Sequence, residues 1–377
     1  MRKKLNLPRF FLLAFSLAVL LFALWGGLLR LGWELPWLRP TMALTHGPLM
    51  VCGFLGTLIS LERAVALDRS WAYTAPSLCA LGSLLLAEGY LGSLGIALIL
   101  LGSLTLVFIF VVIVRRQLAL FTVTMGLGAV AWSAGNLLWL AGVAIPLMVH
   151  WWIGFFVLTI VGERLELSRF LPPSLRGKLL FLSAVFVFLT GLIVASVVPI
   201  RGEELAGAGM VAMAAWLARF DIAPYTIRQK GLARFSATCL LGGYAWLAVG
   251  GIFWLSAGRW STQDNLALLH YDAMLHAIFL GFVFSMIFAH AAIIFPAITK
   301  RPLAYHPIFY SHVILLHLSL LARIAGDLTG SFTFYRWGGL FNVVAVLVFV
   351  ANSGYGILVG LYRSEDRARV SLTGTVR

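Results

Sequence analysis

"THGPLMVCGFLGTLISLERAV", residues 45–65, is the stretch on which the reading of this chain turns. It is long and apolar enough to cross a bilayer, for which a helix needs about 20 residues. Yet a histidine, His46, opens it, and the pair Glu62-Arg63 closes it. Ionisable groups at membrane depth are costly and are functional candidates by default. The fold depends on how often such segments recur, and the function on what their polar ends do.

The chain has 377 residues, 61% of them hydrophobic and only 11% charged. A soluble protein carries about a quarter of its residues charged, so the excess apolar surface has to face lipid. Runs of spanning length lie near 10–29, 43–65, 74–90, 92–114, 121–142, 147–168, 179–199, 204–220, 235–257, 271–296, 308–326 and 338–361. The expectation is an all-α integral membrane protein: a single domain over 1–377 with twelve transmembrane helices and no soluble module. Only the polar break EGYLGSLG divides the third run from the fourth.

Basic residues in the short loops set the orientation. With the N-terminal MRKK in the cytoplasm, 22 of the 28 Lys and Arg residues fall on the cytoplasmic side. The outer side keeps Arg30, Arg39, Arg201, Arg259, Arg323 and Arg336. The expected location is therefore the cell inner membrane, multi-pass, with both termini cytoplasmic. The net charge of +14 reads as a topology signal and an attraction to the anionic lipid bilayer. It does not read as a nucleic-acid surface, since no soluble basic face exists to dock one. The first run is about 20 residues long and ends in LRLGWELPW without a small-residue cleavage site, so it reads as a span. Cys52, Cys79 and Cys239 fall in separate predicted helices at unrelated spacings, which gives no disulfide framework and no CxxC metal site. Trp and Tyr gather near helix ends, as an interfacial aromatic belt would.

The opening stretch has relatives inside the chain. The second run contains Gly53-Phe54 and, eight residues on, Glu62; the sixth contains Gly154-Phe155 and Glu163; the tenth contains Gly281-Phe282 and His290. A histidine lies upstream in each: His46, His150 and His276. The three runs are four apart in the order, which predicts a pseudo-threefold arrangement of four-helix arcs with repeats near 1–114, 115–220 and 221–361.

On these residues the chain resembles the haem–copper oxidase catalytic subunits, and more closely the NnrS family of membrane haem proteins associated with nitric oxide stress. The resemblance rests on H-x-x-x-M-x-x-G-F-x-G (His46, Met50, Gly53, Phe54, Gly56) and on DAMLHAIFLGFVFSMI around His276. It implies three arcs, with the second, sixth and tenth helices lining the interior. It also implies a b-type haem between the second and tenth, an electron donor in the membrane or periplasm, and redox or nitric-oxide-related chemistry. His46 and His276 are then the cofactor ligands, as neutral imidazole is the usual ligand of haem iron. Gly47, Gly53 and Gly56 would thin the helix beside a flat macrocycle. The oxidase copper triad has no counterpart, because the seventh run carries no histidine, so an oxygen-reducing centre is not expected.

A second site is expected toward the inner side. On an ideal helix His276 and His290 share a face about 21 Å apart, while His46 and Glu62 differ by about 160°. His290, His312, Glu62 and Glu163 form a candidate metal set, since imidazoles with a carboxylate suit copper, iron or zinc. The NnrS resemblance implies copper, and a second haem on His290 and His312 is the variant. The rival class is a secondary transporter or ion conduit using the same His and Glu residues. Twofold symmetry between 1–185 and 186–377 would favour that rival.

Overall fold

The structure is a computed structural model and describes residues 7–89, 92–168, 173–259 and 265–373. Among these residues it contains helices and no strands. The long helices are α1 (Leu7–Arg30), α2 (Met42–Leu67), α3 (Thr74–Glu88), α4 (Gly92–Arg116), α5 (Leu120–Leu140), α6 (Ile145–Leu167), α7 (Leu175–Ala195), α8 (Pro199–Phe220) and α9 (Leu232–Leu255). They continue with α10 (residues 265–299), α11 (Tyr310–Thr329) and α12 (Phe332–Thr373). Ten of them, all but α3 and α8, are long and apolar enough to cross a membrane. With 15 residues, α3 reaches about 22 Å against a hydrocarbon core of about 30 Å. In α8 the length suffices, but Arg201, Glu203, Glu204 and Arg219 dilute its apolar character.

Short loops make sequence neighbours pack antiparallel, as in the pairs α3/α4, α5/α6, α7/α8 and α11/α12. The most enclosed spans are α2, α6 and α10: 61%, 78% and 61% of their apolar windows are buried, against 33–50% for the other seven. They meet one another through Phe54 on Phe284, with ring centroids 6.1 Å apart, and Phe156 on Phe279, at 5.7 Å. The repeated Gly-Phe motif has the same packing role in each. The phenylalanines are buried, and a Cβ on the glycine would strike a neighbouring helix: Val19 and Ser83 at Gly53, Leu192 at Gly154, Trp246 at Gly281. Cys52, Cys79 and Cys239 are buried free thiols.

Two of the three core helices are not α-helical throughout. Wide π-helical segments occupy Leu49–Gly56 in α2 and Ala277–Phe284 in α10. Such a segment adds about one residue of rotation, roughly 100°, between the parts it joins. This corrects the expected helix phases. His46 and Glu62 come to within about 60° of each other and both face the interior, whereas His276 and His290 separate by about 140°. His276 turns toward α11, and His290 toward α6. Gly53 and Gly56 consequently do not thin α2 beside His46. They pack against α1, α3 and Trp132 of α5, and only Gly47, with nothing within 4 Å of its Cβ position, borders open space.

Candidate functional site

A cavity of about 360 Å³ lies among α1, α2, α6, α10, α11 and α12. Both predicted cofactor ligands, His46 and His276, line it. Its remaining walls are mainly apolar, with Leu24, Val51, Val149, Trp152, Phe279 and Phe284 among them. The size falls within the roughly 300–1,000 Å³ of small-molecule and cofactor sites, and so does the character, mostly apolar with a few placed polar groups.

The two imidazoles are held alike in one respect. His46 Nδ1 lies 2.6 Å from the Ala23 carbonyl of α1, and His276 Nδ1 lies 2.8 Å from the Asp272 carbonyl of its own helix. A carbonyl oxygen only accepts, so each Nδ1 carries a proton, and in the neutral ring Nε2 is then the nitrogen with the free lone pair. This is how metal-ligating histidines are usually prepared, with the remote nitrogen fixed by an acceptor. Among the described residues no hydrogen bond occupies either Nε2. The His46 ring fits because Gly27 of α1 has no side chain; a Cβ there would sit 2.8 Å from the ring's Cε1.

In a second respect they differ. Asp272 also brings a carboxylate oxygen to 3.2 Å from His276 Nδ1, and Arg323 Nη2 donates to that same oxygen at 2.7 Å. Arg323 is buried, lies over the Tyr335 ring with its guanidinium carbon 4.8 Å from the centroid, and sits against Gly338 and Gly339, where a Cβ would collide with it. Arg30 joins Arg323 in the cavity wall, so two guanidiniums and one carboxylate give this wall a net positive charge.

The inner candidates are organised differently. Arg63 Nη2 donates to Glu62 at 2.7 Å and to Glu163 at 2.6 Å, joining α2 to α6. The next residue, Arg164, is buried and pairs with Asp221 through Nε at 3.2 Å and Nη2 at 2.9 Å. Ser168, at 2.5 Å, and Tyr244 also donate to Asp221. Burial alone would raise the Asp221 carboxyl, but Arg164 and these donors outweigh it and hold it below its ordinary value. His290 donates from Nδ1 to Met286 O at 2.8 Å and accepts from Arg164 Nη1 on Nε2 at 3.1 Å, which uses both ring nitrogens.

His312 is engaged elsewhere. Its Nδ1 meets the Asn352 amide at 3.0 Å, and its ring lies among Phe235, Phe288, Phe309 and Phe349, with centroids 4.6–6.0 Å away. Among the described residues no group of three or more His, Cys, Asp or Glu side chains is placed to hold a metal ion. The four inner candidates thus occupy an ion-pair network and an aromatic pocket, because arginines reach Glu62, Glu163 and His290 first. His150, the upstream histidine of α6, bonds Ser196, just past the end of α7, at 3.2 Å and is not part of the cavity wall.

Sequence reasoning missed Ala23, Gly27, Asp272, Arg323 and Trp152 as parts of the site. The Asp272–His276 spacing of four was a usable signal, since it stacks the two side chains on one helical face. Arg323 and Arg164 look like topology markers in the sequence, but both are buried partners of interior carboxylates. Trp152, one of the tryptophans near a helix end that an interfacial belt would claim, is fully buried.

The chain matches the family described as Domain of unknown function (DUF8744) over residues 9–354. No curated protein matches it.

Proposed function

The chain belongs to the DUF8744 family, a description that carries no activity, and from the site we propose that it is a multi-pass membrane haem protein. The carrying observation is the pair of imidazoles in one cavity, each tied down through Nδ1 and each offering Nε2. Of the chain's eight histidines, His290 has both ring nitrogens engaged, and His312 and His317 accept on Nδ1 from Asn352 and Trp246, which leaves the proton of the neutral ring on Nε2. The residues present fit the group: two imidazole nitrogens, mainly apolar walls, and a guanidinium-bearing wall that suits the acidic edge of a haem. When bound, the iron supplies one-electron or small-gas chemistry. The protein's part is to orient two imidazoles and exclude water.

The finer architecture belongs to the same reading. In it, α3 and α8 complete twelve spans, the enclosed α2, α6 and α10 are the inner members of three arcs, and both termini lie in the cytoplasm of an inner membrane. An electron donor at the membrane or its outer face would serve the cavity. The NnrS-like expectation of nitric-oxide-related chemistry rests on resemblance alone and stays a part of this proposal. A conduit is the second reading, favoured by the charged residues that join α2, α6 and α10 at the inner end.

Spectroscopy separates the two. Purified protein loaded with haem should show a six-coordinate, bis-imidazole Soret and visible spectrum with one haem per chain, and both His46→Ala and His276→Ala should abolish that six-coordinate signature. A wild type that takes up no haem, or two variants that keep its full spectrum, would sink the reading.

A further inference from the structure

The two cavity histidines are not equivalent, and we infer that His276 is the anchoring ligand and His46 the exchangeable one, so that a small neutral diatomic gas enters on the His46 side. This rests on the haem reading above and deepens it. It concerns which of the chain's own side chains yields.

Three observations converge. The first is the tether. His276 is held by a residue one turn earlier on its own helix, through both a carbonyl and a carboxylate, and that carboxylate is fixed by Arg323. A carboxylate behind an imidazole raises its basicity and locks the ring, and removing such a partner typically weakens metal binding about 10–100-fold. His46 has one neutral acceptor, the Ala23 carbonyl, and that acceptor belongs to another helix. Its orientation therefore depends on how α1 and α2 stay together.

The second is the backbone. His46 sits in a seven-residue α-helical piece, Met42–Pro48, that contains Pro48 and runs into the π segment at once. Proline removes the hydrogen bond that the Leu44 carbonyl would otherwise receive. His276 ends a continuous twelve-residue stretch, Asn265–His276, although a π segment follows it too. The third is space. Nothing lies within 4 Å of the Gly47 Cβ position, and Gly47 lines the cavity. A turn that carries His46 has room to shift, whereas Arg323 and Tyr335 close the region behind Asp272.

Four variants test the inequality, read by haem retention on a desalting column, by carbon monoxide binding to the reduced protein, and by midpoint potential. His46→Ala should keep its haem, now five-coordinate, and bind carbon monoxide at least tenfold faster than wild type. His276→Ala should lose at least tenfold more haem than His46→Ala. Asp272→Asn keeps the carbonyl tether but removes the charge behind His276, so its midpoint potential should rise, because a less basic imidazole favours the oxidised iron less. Gly27→Ala crowds the His46 ring without removing it and should raise carbon monoxide binding above wild type, which covers the case of a poorly folding His46→Ala. The inference is overturned if the two alanine variants lose haem equally, if His276→Ala is the better gas binder, or if Asp272→Asn leaves the potential where it was. A wild type that binds haem with two histidines while these variants behave alike rejects the inequality alone; a wild type that binds no haem rejects the underlying reading as well.

Discussion

The two ends of the α2–α6–α10 core draw on the same residue types and dispose them oppositely. At the cavity end His46 and His276 are tethered at Nδ1 and left open at Nε2. At the other end His290 is tethered at Nδ1 in the same way, yet Arg164 fills its Nε2. The carboxylates differ in the same sense: Asp272 is shared between an imidazole and Arg323, whereas Glu62, Glu163 and Asp221 pair with arginines. The lesson is that a histidine inside a membrane bundle is judged by its second nitrogen. The inner network joins its helices by pairing each carboxylate with an arginine, whereas the cavity end leaves two imidazole nitrogens facing open space.

The largest effect that would sharpen this contrast comes from the closed end. Arg164→Ala leaves Asp221 buried with only Ser168 and Tyr244 to face it, and breaking a buried pair this way costs about 3–5 kcal/mol. The detergent-solubilised variant should unfold at much lower temperature or fail to accumulate. The pair also has a pH signature. The Asp221 carboxyl is held below its ordinary value, so its stabilisation is complete above the usual carboxylate range and is lost only as pH falls through the lowered value. Melting temperature should therefore stay flat on this account down to about pH 5 and drop below it, and Asp221→Asn should remove that acid limb. A variant at Arg164 as stable as wild type would mean that the closed end holds nothing together.

Much of the architecture was legible because lipid imposes simple rules on sequence. Apolar length located the helices, and the Gly53/Gly154/Gly281 pattern marked the three most enclosed ones, since close helix approach needs a missing side chain in each. His46 and His276 were legible as interior residues because an ionisable group at membrane depth faces the bundle rather than lipid, and both line the cavity. The rest was hidden for identifiable reasons. A π segment leaves no periodic trace, so every angle computed across Leu49–Gly56 or Ala277–Phe284 was wrong by about one residue of rotation. Arg63, Arg164 and Arg323 stand where loop arginines stand in a sequence, and only packing reveals that they face carboxylates. The Ala23 carbonyl that holds His46 is backbone, and no residue type announces it.

Two smaller effects separate packing from chemistry. A Cβ on Gly56 would come within 2.4 Å of the Trp132 ring, so Gly56→Ala overpacks the α2–α5 contact and should destabilise by about 1–3 kcal/mol. Removing the imidazole in His290→Ala leaves Arg164 Nη1 without its acceptor in a buried setting, at about 1–3 kcal/mol. The lower end is expected, since Arg164 keeps Asp221. The two share one further outcome: the haem spectrum of each folded variant should match wild type. A His290→Ala protein with a changed Soret band would show that the two ends are coupled, and the contrast drawn above would fail.

The smallest effect is expected at Gly47, and it is the most specific. Gly47 lies next to His46 on the same helix that carries Gly56, so helix propensity treats the two alike, and alanine in place of a helical glycine stabilises by about 0.5–1 kcal/mol when nothing obstructs it. At Gly56 a tryptophan ring obstructs it; at Gly47 nothing lies within 4 Å. Gly47→Ala should therefore melt at or slightly above the wild-type temperature in the unloaded protein. The added methyl nonetheless stands in the cavity wall, where it competes with whatever fills the space, so haem uptake should weaken severalfold with no loss of fold. Equal melting behaviour of Gly47→Ala and Gly56→Ala would mean that the open space beside His46 is filled by protein, and the cavity would then lose its claim to a ligand.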